Sequence, residues 1–474
     1  MLKVTALMSS TTVINIILNT IKVKVMAILI GTSGMGVFSL FQSIYNVLLS
    51  LGGIVAGGSV VKAVAETNTS KNHYQLQILQ FLLIRMALLT GLLSGLIIYL
   101  FSKPIALKIF DDISFQPDIQ LMSFVPVIIN LSLFWQSWLN GLRQVKKIAK
   151  IRLFSSFIIT ISTIVLLYFF HEDAIIYIIL ILPVPAFIIS RLKSDSLGKP
   201  KQIITRKSFI DILNVIKLGM ALVIVSLIFQ FGIFYARSLI TEYGGLASTG
   251  IVFASWAISM SYVEIFLSAL SVEYYPRLVE LKNDLNATNQ LINKQINLLL
   301  MVIFPVLIGL YILAPFIIPL LYSENFNQAS SILRYQLIGD IFKIMSWILG
   351  YVLIVHGYIK ISLLLQIQWI AVYLLFLLFG FESFGLDITG IAFLASYLLN
   401  FILVFIFLSS KIKFKFTQKN IQLISSIIVI SVLLVSLHYF SIENLMVTII
   451  QFIIALYYTI FAIKKIKQQI KTYE

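Results

Sequence analysis

Three formal charges, Arg334, Asp340 and Lys343, sit inside the apolar run 330–355, which is long enough to cross a bilayer. A charge at the centre of a lipid-facing helix costs at least about 2.5–3.5 kcal/mol on insertion scales. A span that carries three must turn some of them toward protein or water. On a 3.6-residue period Gln336, Asp340, Lys343 and Trp347 share one stripe, with Ile341, Ile344 and Ile348 off it. The stripe reads as the wall of a path for something polar, with Asp340 and Lys343 as cavity charges or ion-coupling groups. The structural alternative is an ion pair, because the two lie three residues apart on one face. Arg334 is near the outer end of the run and on the opposite side from Lys343, where it snorkels or caps.

Polar residues repeat at helical spacing in four other apolar runs. Asn15, Asn19 and Lys22 share a face, as do Gln42 and Asn46 in the next run. Further along, Ser226, Gln230 and Arg237 align, and Ser261, Glu264, Ser268 and Ser271 form another stripe. Such groups have two uses in a membrane. They bond helix to helix, at about 0.6 kcal/mol per hydrogen bond, or they line a cavity for polar cargo. Several stripes at corresponding places along the chain favour the cavity. Glu264 falls near the middle of its run, too deep for its side chain to reach water along its own length. Lys22 and Lys24 point to different faces, and periodicity favours Lys22 for the cavity. Glu273 and Arg277, four residues apart, read as a surface ion pair, and Arg85 as a snorkelling residue.

Enzyme chemistry has no foothold here. The four histidines, His73, His171, His356 and His438, have no metal-ligand spacing, and there is no cysteine for a thiolate site or a nucleophile. Neither a P-loop, a nucleophile elbow nor a dinucleotide fingerprint occurs, so no metal or cofactor is expected. Any pumping must then draw on an ion or substrate gradient.

The elements that position these stripes follow from composition. The 474 residues are 59% hydrophobic and only 11% charged, with a mean hydropathy of +1.00. Soluble domains are about one quarter charged, so the chain is an integral membrane protein. Its apolar runs do not alternate, which makes the spans helices rather than barrel strands. Fourteen spans are expected, near 6–30, 37–63, 76–101, 118–142, 149–170, 174–192, 213–240, 247–275, 291–318, 330–355, 361–381, 387–409, 421–440 and 445–463. The first reads as a retained span rather than a signal peptide.

The net charge of +16 is spread by topology, not gathered for nucleic acid. Arg143, Lys146, Lys147, Lys150 and Arg152 follow the fourth span, Arg191 to Lys207 the sixth, and Lys411 to Lys419 the twelfth. Opposite loops hold little beyond Lys103 and Lys108. By the positive-inside rule both termini are cytoplasmic. Affinity for anionic membrane lipids is a secondary consequence, and no nucleic-acid partner is expected.

A faint repeat runs through the chain at an offset a little over two hundred residues. Trp138-Leu139-Asn140-Gly141 matches Trp347-Ile348-Leu349-Gly350, and Lys24 precedes Gly36 much as Arg237 precedes Gly250. The reading is two six-helix lobes, 1–192 and 213–410, joined by a basic linker at 193–212. Two further spans and a basic tail occupy 411–474. Repeated halves around a midplane site are the usual build of secondary transporters.

The stretch from Glu324-Asn325-Phe326-Asn327 through Gln336-Leu337-Ile338-Gly339-Asp340-Ile341-Phe342-Lys343 to Gly350-Tyr351 resembles Wzx-type flippases of O-antigen and enterobacterial common antigen. Lys24 to Gln42 resembles the first hairpin of that family, and Tyr275-Pro276-Arg277-Leu278 its eighth-span exit. The resemblance covers roughly residues 5–410 and places the chain in the multidrug/oligosaccharidyl-lipid/polysaccharide exporter superfamily.

It implies alternating access, with spans 1, 2, 7 and 8 around the cavity, in the bacterial inner membrane. The implied cargo is an undecaprenyl-pyrophosphate-linked oligosaccharide, flipped to the outer leaflet for surface polysaccharide synthesis. Lys22, Lys24 and Arg237 would compensate the pyrophosphate, while Asn15, Asn19, Gln42, Asn46 and Gln230 face the sugars. Glu264 or Asp340 would bind a coupling proton or sodium ion. A polysaccharide polymerase and a chain-length regulator are the implied partners. The rivals are a cation-coupled multidrug or lipid II exporter of the same superfamily and a non-transporting scaffold. Fourteen spans depart from the twelve of many O-antigen flippases and match the lipid II flippases, which leaves the glycan open.

Overall fold

The computed structural model describes residues 2–70, 73–198, 206–269 and 273–439, with 458 and 460. Side chains at 2–9, 206–216 and 264–269, with a few neighbours, lie outside the described set, and Glu264 is among them. The expected span 445–463 lies almost wholly outside it too.

Among the described residues every regular element is helical. The longer helices are α1 (Leu2–Gly52), α2 (Gly58–Thr69), α3 (His73–Leu100), α4 (Val125–Gly141), α5 (Val145–Phe170), α6 (Ala174–Ile181) and α7 (Val184–Leu192). They continue with α8 (Arg206–Ala269), α9 (Leu285–Leu321), α10 (Ala329–Val355), α11 (Ile359–Phe384), α12 (Asp387–Lys411) and α13 (Gln418–Tyr439). Among the described residues ten segments are long and apolar enough to cross a membrane. Three of them hold two expected spans each, because the helix breaks partway. α1 breaks at Gly31 (φ 61°, ψ −163°) and α8 at Gly245 (φ 78°, ψ 175°). Positive φ with extended ψ is a region open essentially to glycine alone. The third break falls between α5 and α6, where His171 has φ 49°.

The chain forms two compact units, Met1–Phe253 and Ala254–Glu474. The sequence reading puts the lobe boundary at 193–212 instead. Residues 223–253 join the first unit because they pack along α1. The start of the basic stretch is also no loose tether. Gln77 Nε2 donates to Leu197 O, Gln80 Nε2 donates to Asp195 O, and Leu197 N donates back to Gln80 Oε1. Lys147 Nζ donates to Lys193 O at the end of α7, a cation at a helix C-terminus.

Within the first unit, Phe134, Trp135 and Trp138 of α4 pack with Val60 and Val64 of α2 and Leu76 to Ala87 of α3. The Trp-x-x-Gly repeat does not survive this packing. Trp138 is 1% exposed and Gly141 lies against Val64, whereas Trp347 is 41% exposed and Gly350 faces open space.

The glycine breaks carry the repeat better. Gly31 and Gly36 map onto Gly245 and Gly250 at one offset of 214 residues (31 to 245, 36 to 250). Their contacts are reciprocal. A Cβ at Gly36 would collide with the Leu246 carbonyl, and one at Gly250 with the Thr32 carbonyl, with Gly36 N only 2.9 Å away. Two helix starts thus cross backbone to backbone, as small residues allow in membranes. The same offset pairs Arg237 with Val23 and Ser238 with Lys24, so the cations of the expected repeat are not equivalent.

In the second unit, α9 binds α13 through asparagines. Asn420 Nδ2 donates to Asn293 O (2.8 Å) and to Asn293 Oδ1 (2.9 Å), and Asn297 Nδ2 donates to Asn420 Oδ1 (2.8 Å). Thr417 N donates to Asn293 Oδ1, Asn293 Nδ2 donates to Lys415 O, and Tyr311 Oη donates to Leu434 O farther along. Replacing Asn420 with leucine strands these partners where water cannot reach, at about 1–3 kcal/mol per unsatisfied group. Asn420→Leu should therefore lower the melting midpoint of the purified protein in detergent, and an unchanged midpoint would show the clasp to be idle.

Candidate functional site

Four of the five polar stripes separate into two kinds once their partners are known; the stripe of Ser261, Glu264, Ser268 and Ser271 lies largely outside the described residues. The span-10 stripe is sealed. Gln336, Asp340 and Lys343 are 0, 0 and 1% exposed. Asp340 Oδ2 accepts from Ser259 Oγ at 2.8 Å, and Oδ1 accepts from Lys343 Nζ at 3.3 Å. The Lys343 ammonium sits 5.4 Å over the Phe393 ring and 5.6 Å over Tyr397, with the Met260 sulfur 3.3 Å away. With its amide turned to suit its neighbours, Gln336 donates to Ser255 O and accepts from Trp256 Nε1 at 2.8 Å. This is a neutral polar seam joining α10 to residues 255–260, not an open path. The pairing alternative raised by the three-residue spacing is the one the geometry adopts.

The other charges of that region are settled by local chemistry. Pro315 inside α9 has no N–H to give to the carbonyl four residues back, at Tyr311. Arg334 Nε donates to that carbonyl at 3.3 Å, with its guanidinium 5.4 Å over the Tyr311 ring. It caps, as expected from its position. Arg277 and Glu273 make the exposed ion pair at 2.9 Å, and Arg85 stacks 3.7 Å over Phe81 one turn back.

The stripes of the first unit look different. Ser39, Ser43, Asn46 and Ser50 fall on one face of the second arm of α1, at helical spacing. Ser226, Gln230 and Arg237 follow each other along α8. The two faces are paired antiparallel and pinned at both ends. Arg237 NH1 donates to Ser39 O and to Ser43 Oγ, both at 2.7 Å, while Ser50 and Ser226 bond at 2.9 Å. Asn46 and Gln230 lie between the pins. Neither has a hydrogen bond among the described residues, and both are half-buried. The sequence reading missed Ser39 and Ser43, although the spacing of serines ahead of Asn46 and Ser50 was visible.

The first arm of α1 repeats this condition. Lys22 and Lys24 are half-buried and form no hydrogen bond or ion pair among the described residues. Asn15 is half-buried with a buried Oδ1 that has no partner among the described residues, Asn19 is exposed, and Gln42 is half-buried with no hydrogen bond among them. Interhelical glue would show bonds at these groups, and they show none. Arg237 is the exception in the set, being held already.

The sequence matches the family described as polysaccharide biosynthesis protein over residues 25–331, most of the chain. The chain belongs to that family. Within reach of this polysaccharide biosynthesis protein are the lipid III flippases of Escherichia coli (strain K12) and Shigella flexneri. Each is 21% identical over 380 residues, covering 80% of this chain and 91% of the relative. Among solved structures, the lipid II flippase MurJ in an inward closed conformation superposes with a TM-score of 0.75 and 15% identity, over 98% of this chain and 99% of that one. An inward-facing multidrug resistance MATE family transporter of the MOP superfamily gives 0.74 at 14% identity, over 86% and 98%. The all-helical transporter fold implied by the sequence is therefore the fold of this polysaccharide biosynthesis protein.

The sealed pair of α10 yields a prediction. Removing one member of a buried ion pair leaves an uncompensated charge and costs about 3–5 kcal/mol, whereas replacing both is far milder. Lys343→Met and Asp340→Leu should each reduce the yield of folded protein sharply, and the double variant should recover most of it. Recovery is read by size-exclusion chromatography in detergent.

Proposed function

We propose that this protein flips lipid-linked oligosaccharides, the undecaprenyl-pyrophosphate-linked repeat units of a surface polysaccharide, from the cytoplasmic to the outer leaflet of the bacterial inner membrane. It does so as a transporter by alternating access, with no chemical step and both termini in the cytoplasm. Membership of a polysaccharide biosynthesis family and likeness to lipid III flippases support the cargo class. The observation that carries the reading is the unpartnered polar set of the first unit.

Lys22 and Lys24 are cations held at half-burial with no counterion among the described residues, which suits a pyrophosphate whose charge must be compensated within apolar territory. Asn15, Asn19, Gln42, Asn46 and Gln230 offer donors and acceptors to sugar hydroxyls at no cost of breaking existing bonds. A drug exporter coupled to cations needs more acidic than basic groups in such a face, and the charged groups of this one among the described residues, Lys22, Lys24 and Arg237, are cations.

The remaining assignments belong to the same reading. A two-lobe organisation with fourteen spans belongs to this reading. Asp340, already in hydrogen bonds to Ser259 and Lys343, and Glu264 are the candidate groups for a coupling proton or sodium ion. Coupling through Asp340 requires the seam around it to open during the cycle. A polymerase and a chain-length regulator receive the flipped units downstream.

Substituting Lys22 and Lys24 singly with alanine should cripple translocation in cells while leaving the amount of folded protein unchanged. Deleting the gene should make lipid-linked repeat units accumulate on the cytoplasmic leaflet. Wild-type flux in both variants would sink the role of the lysines, and no accumulation on deletion would sink the function itself.

A further inference from the structure

The ends of the two hairpins, at Gly31 and Gly245, are held together by two different means. One is the backbone crossing of Gly36 on Leu246 and of Gly250 on Thr32. It brings the backbones together, with Phe38 and Phe253 in edge contact at 5.8 Å beside it. The other is Arg237. Its NH1 donates to Ser39 O and Ser43 Oγ, both at 2.7 Å, and its guanidinium carbon lies 5.4 Å over the Phe253 ring.

The hydrogen bonds continue from there into the crossing itself. Ser43 Oγ donates to Ser39 O, and Ser39 Oγ donates to Gly36 O, the glycine that touches Leu246. Ser39 and Ser43 are 0 and 2% exposed. Charge-assisted bonds in such a place are the strong ones. The crossing lies beside the 102–115 connection, since Ser238 Oγ donates to Lys108 O and Phe41 packs on Phe110 and Phe115. That is the side away from the basic loops. The 214-residue offset sets Val23 opposite Arg237 and Phe253 opposite Ser39, so the pseudo-symmetric crossing has a single, one-sided clamp.

We propose that Arg237 is a latch: a positioning residue that holds this crossing closed, and whose guanidinium must leave Ser39 and Ser43 each time the hairpin ends separate. The proposal rests on the alternating-access reading above and gives Arg237 a role distinct from that of Lys22 and Lys24. The lysines are poised for cargo, and Arg237 is already occupied. While it is latched, its NH1 cannot serve a pyrophosphate.

The chain has no cysteine, so a single introduced thiol reports without background. Thr249→Cys is a near-isosteric reporter, 1% exposed and next to Gly250, and Thr163→Cys, 0% exposed on α5, is its control. Each is placed in the full-length protein in vesicles without substrate and treated with a membrane-impermeant maleimide. Arg237→Ala should raise labelling at residue 249 about tenfold, the shift expected when a charge-assisted hydrogen bond is lost.

Ser43→Ala keeps the charge, removes one acceptor and should raise labelling in the same direction. Arg237→Lys should return labelling toward the parent. Residue 163 should stay protected throughout. Parent-like labelling in both Arg237→Ala and Ser43→Ala overturns the latch, and so does labelling that rises equally at residue 163, which marks general loosening. Should Arg237→Ala fail to fold, Ser43→Ala decides. Because no cargo is present, the labelling reads the latch even if the flipping assignment fails in the deletion experiment.

Discussion

In hydrocarbon a polar group without a partner has no water to fall back on, and nearly every feature of this protein answers to that constraint. Asp340 has Ser259 and Lys343; the carbonyl that Pro315 leaves bare has Arg334; Asn293 has Asn420. These matched groups are deep, closed and structural. Against that background the half-buried residues without partners stand out: Lys22, Lys24, Asn46 and Gln230 in one unit. Unbonded polar atoms occur elsewhere too, as at Asn130 Oδ1 and Gln144 Oε1, but mostly singly; along α1 and α8 they include two lysines and recur at helical spacing.

Arg237 belongs to neither group, and its position explains why. It joins the end of the first arm of α8 to the start of the second arm of α1, at the level where the crossing glycines bring backbones together. Glycine makes that approach possible by having no side chain, and so leaves the approach weak. A charged clamp beside it adds the hydrogen bonds from Arg237 to Ser39 and Ser43. Such a joint is strong while intact and separable in one step, as a moving part requires.

The fold was largely legible in the sequence because hydrophobic runs of span length leave few alternatives, and the resemblance around span 10 pointed to the right family. The candidate site was legible in part. Periodicity found Asn15, Lys22, Gln42, Asn46 and Gln230, since a stripe needs only spacing. It could not tell a stripe that is sealed from one that is open. Gln336, Asp340 and Lys343 have the same spacing signature, yet their partners come from residues 255–260, about eighty positions away. The true glycine repeat was also hidden. Gly36 and Gly250 were noticed beside cations that turn out not to correspond, while Gly31 and Gly245 reveal themselves only through a backbone conformation. Proline at 315 was visible throughout, but the arginine that answers it lies on another helix.

The asparagine clasp bears on how the last helices came to be part of the molecule. A chain ending after α12 would leave the amide of Asn293 and the hydroxyl of Tyr311 facing acyl chains, with their acceptors on Lys415 and Leu434 gone or displaced. A twelve-span ancestor or truncation product would therefore need apolar residues at 293 and 311. Helix α13 is built onto α9 as a permanent flank, and removing it would require redesigning the surface it covers.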